Sequence, residues 1–309
     1  MNFLSAFLSA LPGACAQGII WGIMALGVYM TFRILNVSDL TVDGSLATGG
    51  AVCIMLMKAG VNSGIALLAA VISGMIAGLV TGLLHTKCKI PAILAGILTQ
   101  LSLYSINLRI MGSKANQPIS VDKYKLLVSQ RYVRNAALNN PILVLVIFAA
   151  ALIWFLYWFF GTEIGSAVRA TGNNISMAKA QGIDTDANIV FGLMLGNGLV
   201  ALSGGLLAQY QGATDVNMGR GAIVIGLAAV IIGEVVFGKI FINFGLRMTA
   251  VVIGAIIYYI VLQVVLMFGL NTNDLKLITA AIVAIFLAVP YLKGLSSTRK
   301  KAKGGNANA

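Results

Sequence analysis

The sequence predicts an all-α membrane protein, a polytopic transmembrane helical bundle of about nine spans with the N-terminus outside and the C-terminus cytoplasmic. Three observations predict it. Only 10% of the 309 residues are charged and 59% are hydrophobic, against roughly 25% charged in a soluble domain. A water-soluble fold of this length cannot hide so much apolar surface. Apolar runs near the spanning length of ~20 residues recur along the chain. Glycine is frequent, at 35 residues, which suits helices packed backbone to backbone in lipid.

Each span follows in order. The opening MNFLSAFLSALPGACAQ lacks a positive n-region and a good lipoprotein box, so it reads as an outer lead into the first span. That span covers Ala16 to Ile34. The second, Gly44 to Met57, is short and follows the polar entry NVSDLTVDGS. The third runs from Ser63 to Leu84 and the fourth from Pro91 to Met111. A polar loop, Gly112 to Asn140, precedes the fifth, Pro141 to Phe160. A second polar segment separates this from the sixth span, Ala187 to Tyr210. The seventh, Ala222 to Phe237, is again short. Met248 to Phe268 and Leu277 to Tyr291 complete the set. Residues 1–293 read as one transmembrane domain and 294–309 as a basic, disordered cytoplasmic tail.

Lys and Arg placement sets the orientation. The tail KGLSSTRKKAKGGNANA is basic, so it is placed in the cytoplasm. An odd number of spans then puts the N-terminus outside. Lys87, Lys89, Lys239 and Arg247 fall inside. The outer loop runs against the rule, carrying Lys114, Lys123, Lys125, Arg131 and Arg134. Opposite charge speeds encounter and fixes register, so Lys123, Lys125, Arg131 and Arg134 are candidates for docking an acidic partner. The net charge of +12 sits in loops and tail, so orientation explains it and no nucleic-acid partner is expected.

The segment EIGSAVRATGNNISMAKAQGI, Glu163 to Ile183, interrupts the apolar pattern. A connector needs only a few residues. Here SAVRAT reads as a short helix ended by Gly172. Asn173 or Asn174 can cap a second, ISMAKAQ. Gly182 stands at a C′ position with Ile183 as its hydrophobic contact, and Asp184 can cap the next span. Two short helices with defined ends suit a docking surface, with Ala178 and Ala180 beside Met177 fitting a groove on the partner.

This segment resembles the cytoplasmic coupling loop of bacterial ABC importer permeases of the branched-chain amino acid and ribose type. Gly165, Ala167, Arg169, Ala170, Gly172 and Asn174 match that pattern, followed by Ala178, Gly182 and Ile183. NVSDLTVDGSLATGGAVC resembles the family's broken second helix, and SGGLLAQYQG its small-residue helix after the loop. FRILNVSDLTVDGS is similar to a subgroup associated with tryptophan and tyrosine uptake. The resemblance implies a permease half in the bacterial cell membrane. A second permease copy, two ATP-binding cassette ATPase subunits and an extracytoplasmic substrate-binding protein would be its partners, with lipid around it. It also implies that Arg169, Gly172, Asn173, Asn174, Met177, Ala178, Gly182 and Ile183, within a coupling loop at about 161–186, transmit ATPase motion. The expected cargo is an amino acid, aromatic or branched-chain. A sugar or nucleoside is the alternative.

Other residues fill out the reading. GEVVFGKI, Gly233 to Ile240, nearly spells a P-loop, but Ile240 replaces the Mg²⁺-binding Ser or Thr and no strand precedes it. Asp39 and Asp43 flank the short second span; they cap a helix or line the pathway. Glu234 is an acid within an apolar run and a pathway candidate, with Lys239 near enough to pair. His85 stands without a second ligand, and Cys15, Cys53 and Cys88 have no metal or disulfide spacing. No metal or cofactor is expected. A stand-alone secondary transporter or channel is the reading from another class; few intramembrane charges could carry an ion-driven cycle. An intramembrane enzyme lacks any nucleophile–base set.

Overall fold

The computed structural model describes residues 3–133, 140–238, 240–241 and 243–267, together with 277, 279–281, 283–285 and 288. In chain order the helices are α1 (Phe3–Val28), α2 (Val42–Lys58), α3 (Ser63–Thr86), α4 (Ala92–Ile110), α5 (Pro141–Gly161), α6 (Glu163–Asn173), α7 (Ile175–Ala180), α8 (Thr185–Gln211), α9 (Ala222–Phe237) and α10 (Phe244–Met267). A π-helical turn, Tyr29–Ile34, extends α1. Two short strands, β1 (Asn116–Pro118) and β2 (Ala213–Asp215), pair antiparallel with Asn116 opposite Asp215.

Among the described residues, six helices are long and apolar enough to cross a membrane: α1 with its π turn, α3, α4, α5, α8 and α10. The second and seventh runs become α2 and α9, of 17 and 16 residues. The ninth run lies largely outside the described residues, as do Arg134, Lys239 and the basic tail. The outer lead is not a separate segment. It is the first turns of α1, which starts at Phe3 and carries Pro12 within it.

α8 forms the centre, with 78% of its most apolar stretch buried. Its partners reach it through small residues. Gly74, Gly78 and Gly82, one turn apart on α3, face Asn197, Leu193 and Val190 of α8 so closely that a Cβ would strike the opposing backbone. The two helices therefore run antiparallel in direct backbone contact, the use glycine has in lipid-embedded bundles. On another face of α8, Gly192 and Gly196 make room for the side chains of Leu35 and Thr31 at the end of α1. By contrast, α3, α4 and α5 are 39%, 28% and 22% buried over their apolar stretches. Ile65, Leu68, Ile72 and Ile76 of α3 form an exposed apolar stripe at helical spacing.

Two helices begin inside the bundle. α1 ends beside α6, where Gly172 lies against the Ile34 backbone. Residues 35–41 then climb back between α4 and α8, with Gly96 against Leu40 and Gly192 against Leu35. α2 starts level with Asn197, to which Ser45 bonds, about 18 Å up α8 by helical rise. Irregular backbone at such depth must be buried in protein or face a cavity. Here Leu35, Val37, Asp39 and Thr41 are all buried. α9 runs the other way, from the start of α2 down to the level of α1's end, where Glu234 meets Arg33.

Candidate coupling segment and mid-bundle polar centre

The polar segment folds as two helices with separate, specific ends. Thr162 opens α6; its Oγ1 accepts from the Gly165 N–H at 3.3 Å. α6 continues through Gly172 to Asn173. Gly172 is therefore not a helix terminator, as the sequence suggested. It is the close-approach point where α6 touches the end of α1. The second cap is Asn174 rather than Asn173: its Oδ1 accepts from the Met177 N–H at 3.0 Å. α7 then closes in a Schellman turn. Gly182 has φ +78°, its N–H donates to Lys179 O at 3.0 Å, and the Ile183 N–H donates to Ala178 O at 3.1 Å. Asp184 Oδ1 accepts from the Ala187 N–H at 3.0 Å and opens α8.

The caps fix which side chains face outward. Ala178 is 2% exposed, so it anchors α7 to its own chain and is not offered to a partner. Met177 is 63% exposed and Ile175 48%. Ile175 is the outward apolar residue that the sequence reading missed; the i, i+2 spacing on one short turn gave no stripe to detect. Arg169 is exposed and its guanidinium carbon sits 5.6 Å from the centre of the Phe244 ring at the start of α10. This cation–π contact ties α6 to the bundle.

A second polar centre lies in the middle of the molecule. Asn197 of α8 is fully buried. Its Nδ2 donates to Asp39 Oδ2 at 2.6 Å and to Leu193 O at 3.0 Å, while Ser45 Oγ donates to its Oδ1 at 2.6 Å. Asp39 Oδ1 accepts from the Thr41 N–H at 2.9 Å. Thr41 continues the chain through Thr81, at 2.7 Å, to Thr99, at 2.9 Å. One network thus joins the 35–41 segment to α2, α3, α4 and α8. Nothing in the sequence linked Asn197 to Asp39, because 158 positions separate them.

Asp43 does cap a helix, but a different one from its own. Its two oxygens accept from the Gly221 N–H at 2.8 Å and the Ile223 N–H at 3.0 Å. The start of α2 therefore satisfies the N-terminus of α9, both by hydrogen bonding and by opposing the helix dipole. Glu234, read as pairing with Lys239, meets Arg33 Nε at 2.8 Å on the surface near α6. In the loop between α4 and α5 Arg131 bonds Asp122 at 2.6 Å and Lys123 lies 5.6 Å from the Tyr124 ring centre. Lys123 and Lys125 have no carboxylate at ion-pair distance among the described residues. His85 Nδ1 lies 2.8 Å from Ile90 O and closes the turn between α3 and α4.

A multi-pass helical bundle with interrupted helices meeting at mid-depth, and capped helices projecting from one end, is the architecture of a membrane transport subunit. The chain belongs to the family described as "Branched-chain amino acid transport system / permease component", whose profile matches residues 11–288. It is therefore an ABC importer permease of the branched-chain and ribose type, a multi-pass protein of the cell membrane. It is 39% identical to a tyrosine transport system permease protein of Clostridioides difficile, over 96% of each chain. It is 33% identical to an uncharacterized protein of Rickettsia prowazekii, over 91% of this chain and 98% of that one. An autoinducer 2 import system permease protein of Yersinia pseudotuberculosis is 29% identical over 76% of this chain and 64% of its own length. Among solved structures, PsaBC from Streptococcus pneumoniae in complex with Fab is similar with a TM-score of 0.43, at 17% identity over 84% of this chain and 94% of that one.

Proposed function

We propose that this chain is the non-catalytic membrane half of an ATP-driven importer whose cargo is an amino acid, with tyrosine and tryptophan favoured. Residues 1–293 act as one permease domain with the N-terminus outside. Two copies enclose the pathway, two ATPase subunits dock on α6 and α7, and an extracytoplasmic binding protein docks at the opposite end. The outward apolar faces of α3 and α5 meet lipid. The observation that carries the reading is α7. It is a short helix fixed by a cap at one end and a Schellman turn at the other, with Ile175 and Met177 turned outward. A part that transmits force needs defined ends, and a connector does not. The cargo reading is supported by the tyrosine transport relative, which aligns over nearly all of both chains.

Apart from Glu234, which pairs with Arg33, each candidate takes a role in this account. Arg169 and Gly172 hold α6 on the bundle; Asn174, Gly182 and Ile183 shape α7; Ala178 seats it; Met177 meets the ATPase. Asn173 joins the two helices. Lys123, Lys125, Arg131 and Arg134 serve the binding protein. Asp39 and Asp43 hold the two interrupted helices whose starts border the pathway.

The test is co-purification. Ile175→Asp and Met177→Asp together place two charges on the outward face of α7 and leave its caps intact. The tagged wild-type chain is expected to bring down an ATPase subunit, and the double variant to reach the membrane but lose that subunit. Retention of the ATPase with undiminished uptake would make α6 and α7 a mere connector.

A further inference from the structure

Arg220 immediately precedes the residue that opens α9, and its side chain is exposed. Its guanidinium carbon lies 5.9 Å from the centre of the Tyr104 ring on α4. Helical rise puts Tyr104 about 18 Å along α4 from Ala92, and the start of α9 about 24 Å from its end at Phe237. With Ala92 and Phe237 taken at one face of the membrane, both levels fall within a hydrocarbon layer of ~30 Å. Leu101 and Ile106, exposed on α4 around Tyr104, are apolar as that depth requires.

A guanidinium at such depth does not face lipid. It faces a paired charge or a water-filled space. Among the described residues no carboxylate lies within ion-pair distance of Arg220. Of the acids nearby, Asp43 spends its two oxygens on the Gly221 and Ile223 N–H groups, and Asp215, five residues before Arg220, accepts from the Asn217 N–H. The α9 dipole is thereby opposed, and Arg220 remains as the positive group facing outward. The contact with Tyr104 is to the ring, and no hydrogen bond or ion pair occupies the guanidinium N–H groups among the described residues, which leaves them for a bidentate anion. Gln100, one turn from Tyr104 and half-buried beside Gly44, adds an amide on the same side of α4.

We infer that Arg220, braced on Tyr104, is a station on the solute pathway that binds the carboxylate of the passing solute. The identity of that solute rests on the importer reading above; the existence of an anion-binding station does not. The station holds its solute at the level where α2 and α9 both begin. Movement of the α6–α7 end would then reach it along α9, which joins Arg220 at one end to the Arg33–Glu234 contact at the other.

The experiment has two arms. In the first, Cys15, Cys53 and Cys88 are replaced by Ala and Tyr104→Cys is introduced. Its labelling by an anionic, membrane-impermeant methanethiosulfonate is compared with labelling by a cationic one of similar size, during ATP turnover in the assembled complex. The anionic reagent is expected to react about tenfold faster, as a nearby uncompensated cation concentrates it, and Arg220→Gln should abolish that preference. No labelling by either reagent, equal rates, or disulfide cross-linking of Tyr104→Cys between two copies would overturn the proposal; the last would make this face a seam between copies. In the second arm, uptake of labelled tyrosine is measured with native cysteines. Arg220→Gln should lower it about tenfold, the scale of one lost charge-assisted contact, with ATPase co-purification unchanged and Arg220→Lys in between. Full uptake by Arg220→Gln would overturn the proposal. If the wild type carries no amino acid while the anionic preference and its loss are both observed, the station stands and the cargo reading alone fails.

Discussion

Asn197→Asp keeps the outline of the side chain and changes only which atoms donate. In the native chain the amide Nδ2 donates to both Asp39 Oδ2, at 2.6 Å, and Leu193 O, at 3.0 Å. The replacement turns that donor into an acceptor beside a carboxylate, in a site with no access to water. At a pH high enough to ionise both carboxyls, two like charges about 4 Å apart at an effective dielectric of ~20 repel by about 4 kcal/mol. The lost bond to a charged acceptor adds about 1.5–3 kcal/mol. The sum is about half of an ordinary domain's stability of ~5–15 kcal/mol. The purified variant in detergent should lose its monodisperse peak at least about 11 °C below the wild type, at roughly 2–4 °C per kcal/mol. A second substitution, Asp39→Asn, should restore most of that loss. The new amide at position 39 can accept from the Thr41 N–H and donate to the new carboxylate. A single variant within about 2 °C of the wild type, on the same scale, would refute the reasoning. So would a double variant no more stable than Asn197→Asp.

Gly182→Val puts a β-branched residue at φ +78°, where an L-residue loses about 1–2 kcal/mol or more. It should misplace α7 and leave ATP hydrolysis running without uptake, while Gly182→Asn, tolerant of that conformation, should stay coupled. Gly172→Ala should push α6 off the end of α1, since a Cβ there meets the Ile34 carbonyl; the expected loss is about 1–3 kcal/mol, read as a lower thermal midpoint and weaker ATPase co-purification. Charge reversal of Lys123, Lys125, Arg131 and Arg134 to Glu should weaken docking of the binding protein and invert its response to salt, which weakens the native attraction but screens the new repulsion. Unchanged affinity at low and high salt would free the loop from that role.

The membrane class and the helix ends were legible because both rest on local rules. Apolar runs mark spans, and Asn174, Gly182 and Asp184 announce their caps within a few residues of the N–H or C=O groups they serve. What was not legible depends on distant pairing. SAVRAT followed by Gly looks like a helix and its stop, yet Gly172 continues the helix because α6 needs a bare Cα to touch Ile34. Glu234 has Lys239 close in sequence, yet Arg33 reaches it from the end of α1. Asp43 sits where an acid caps its own helix, and instead it caps α9. The short second and seventh runs could be read only as short. That they start inside the bundle, facing each other, depends on how residues 35–41 turn back beside α8.

The central claim is that ATP hydrolysis outside the membrane drives an amino acid through this chain by way of α7. Labelled tyrosine uptake, measured in cells lacking the gene and complemented with either the native chain or Gly182→Val, tests it most directly. The account predicts that uptake disappears with the gene, returns with the native chain only while ATP is maintained, and does not return with Gly182→Val although that variant reaches the membrane. Tyrosine and tryptophan uptake that persists without the gene, while uptake of a sugar or nucleoside is lost, would contradict the cargo; restored uptake in the Gly182→Val cells would contradict the coupling.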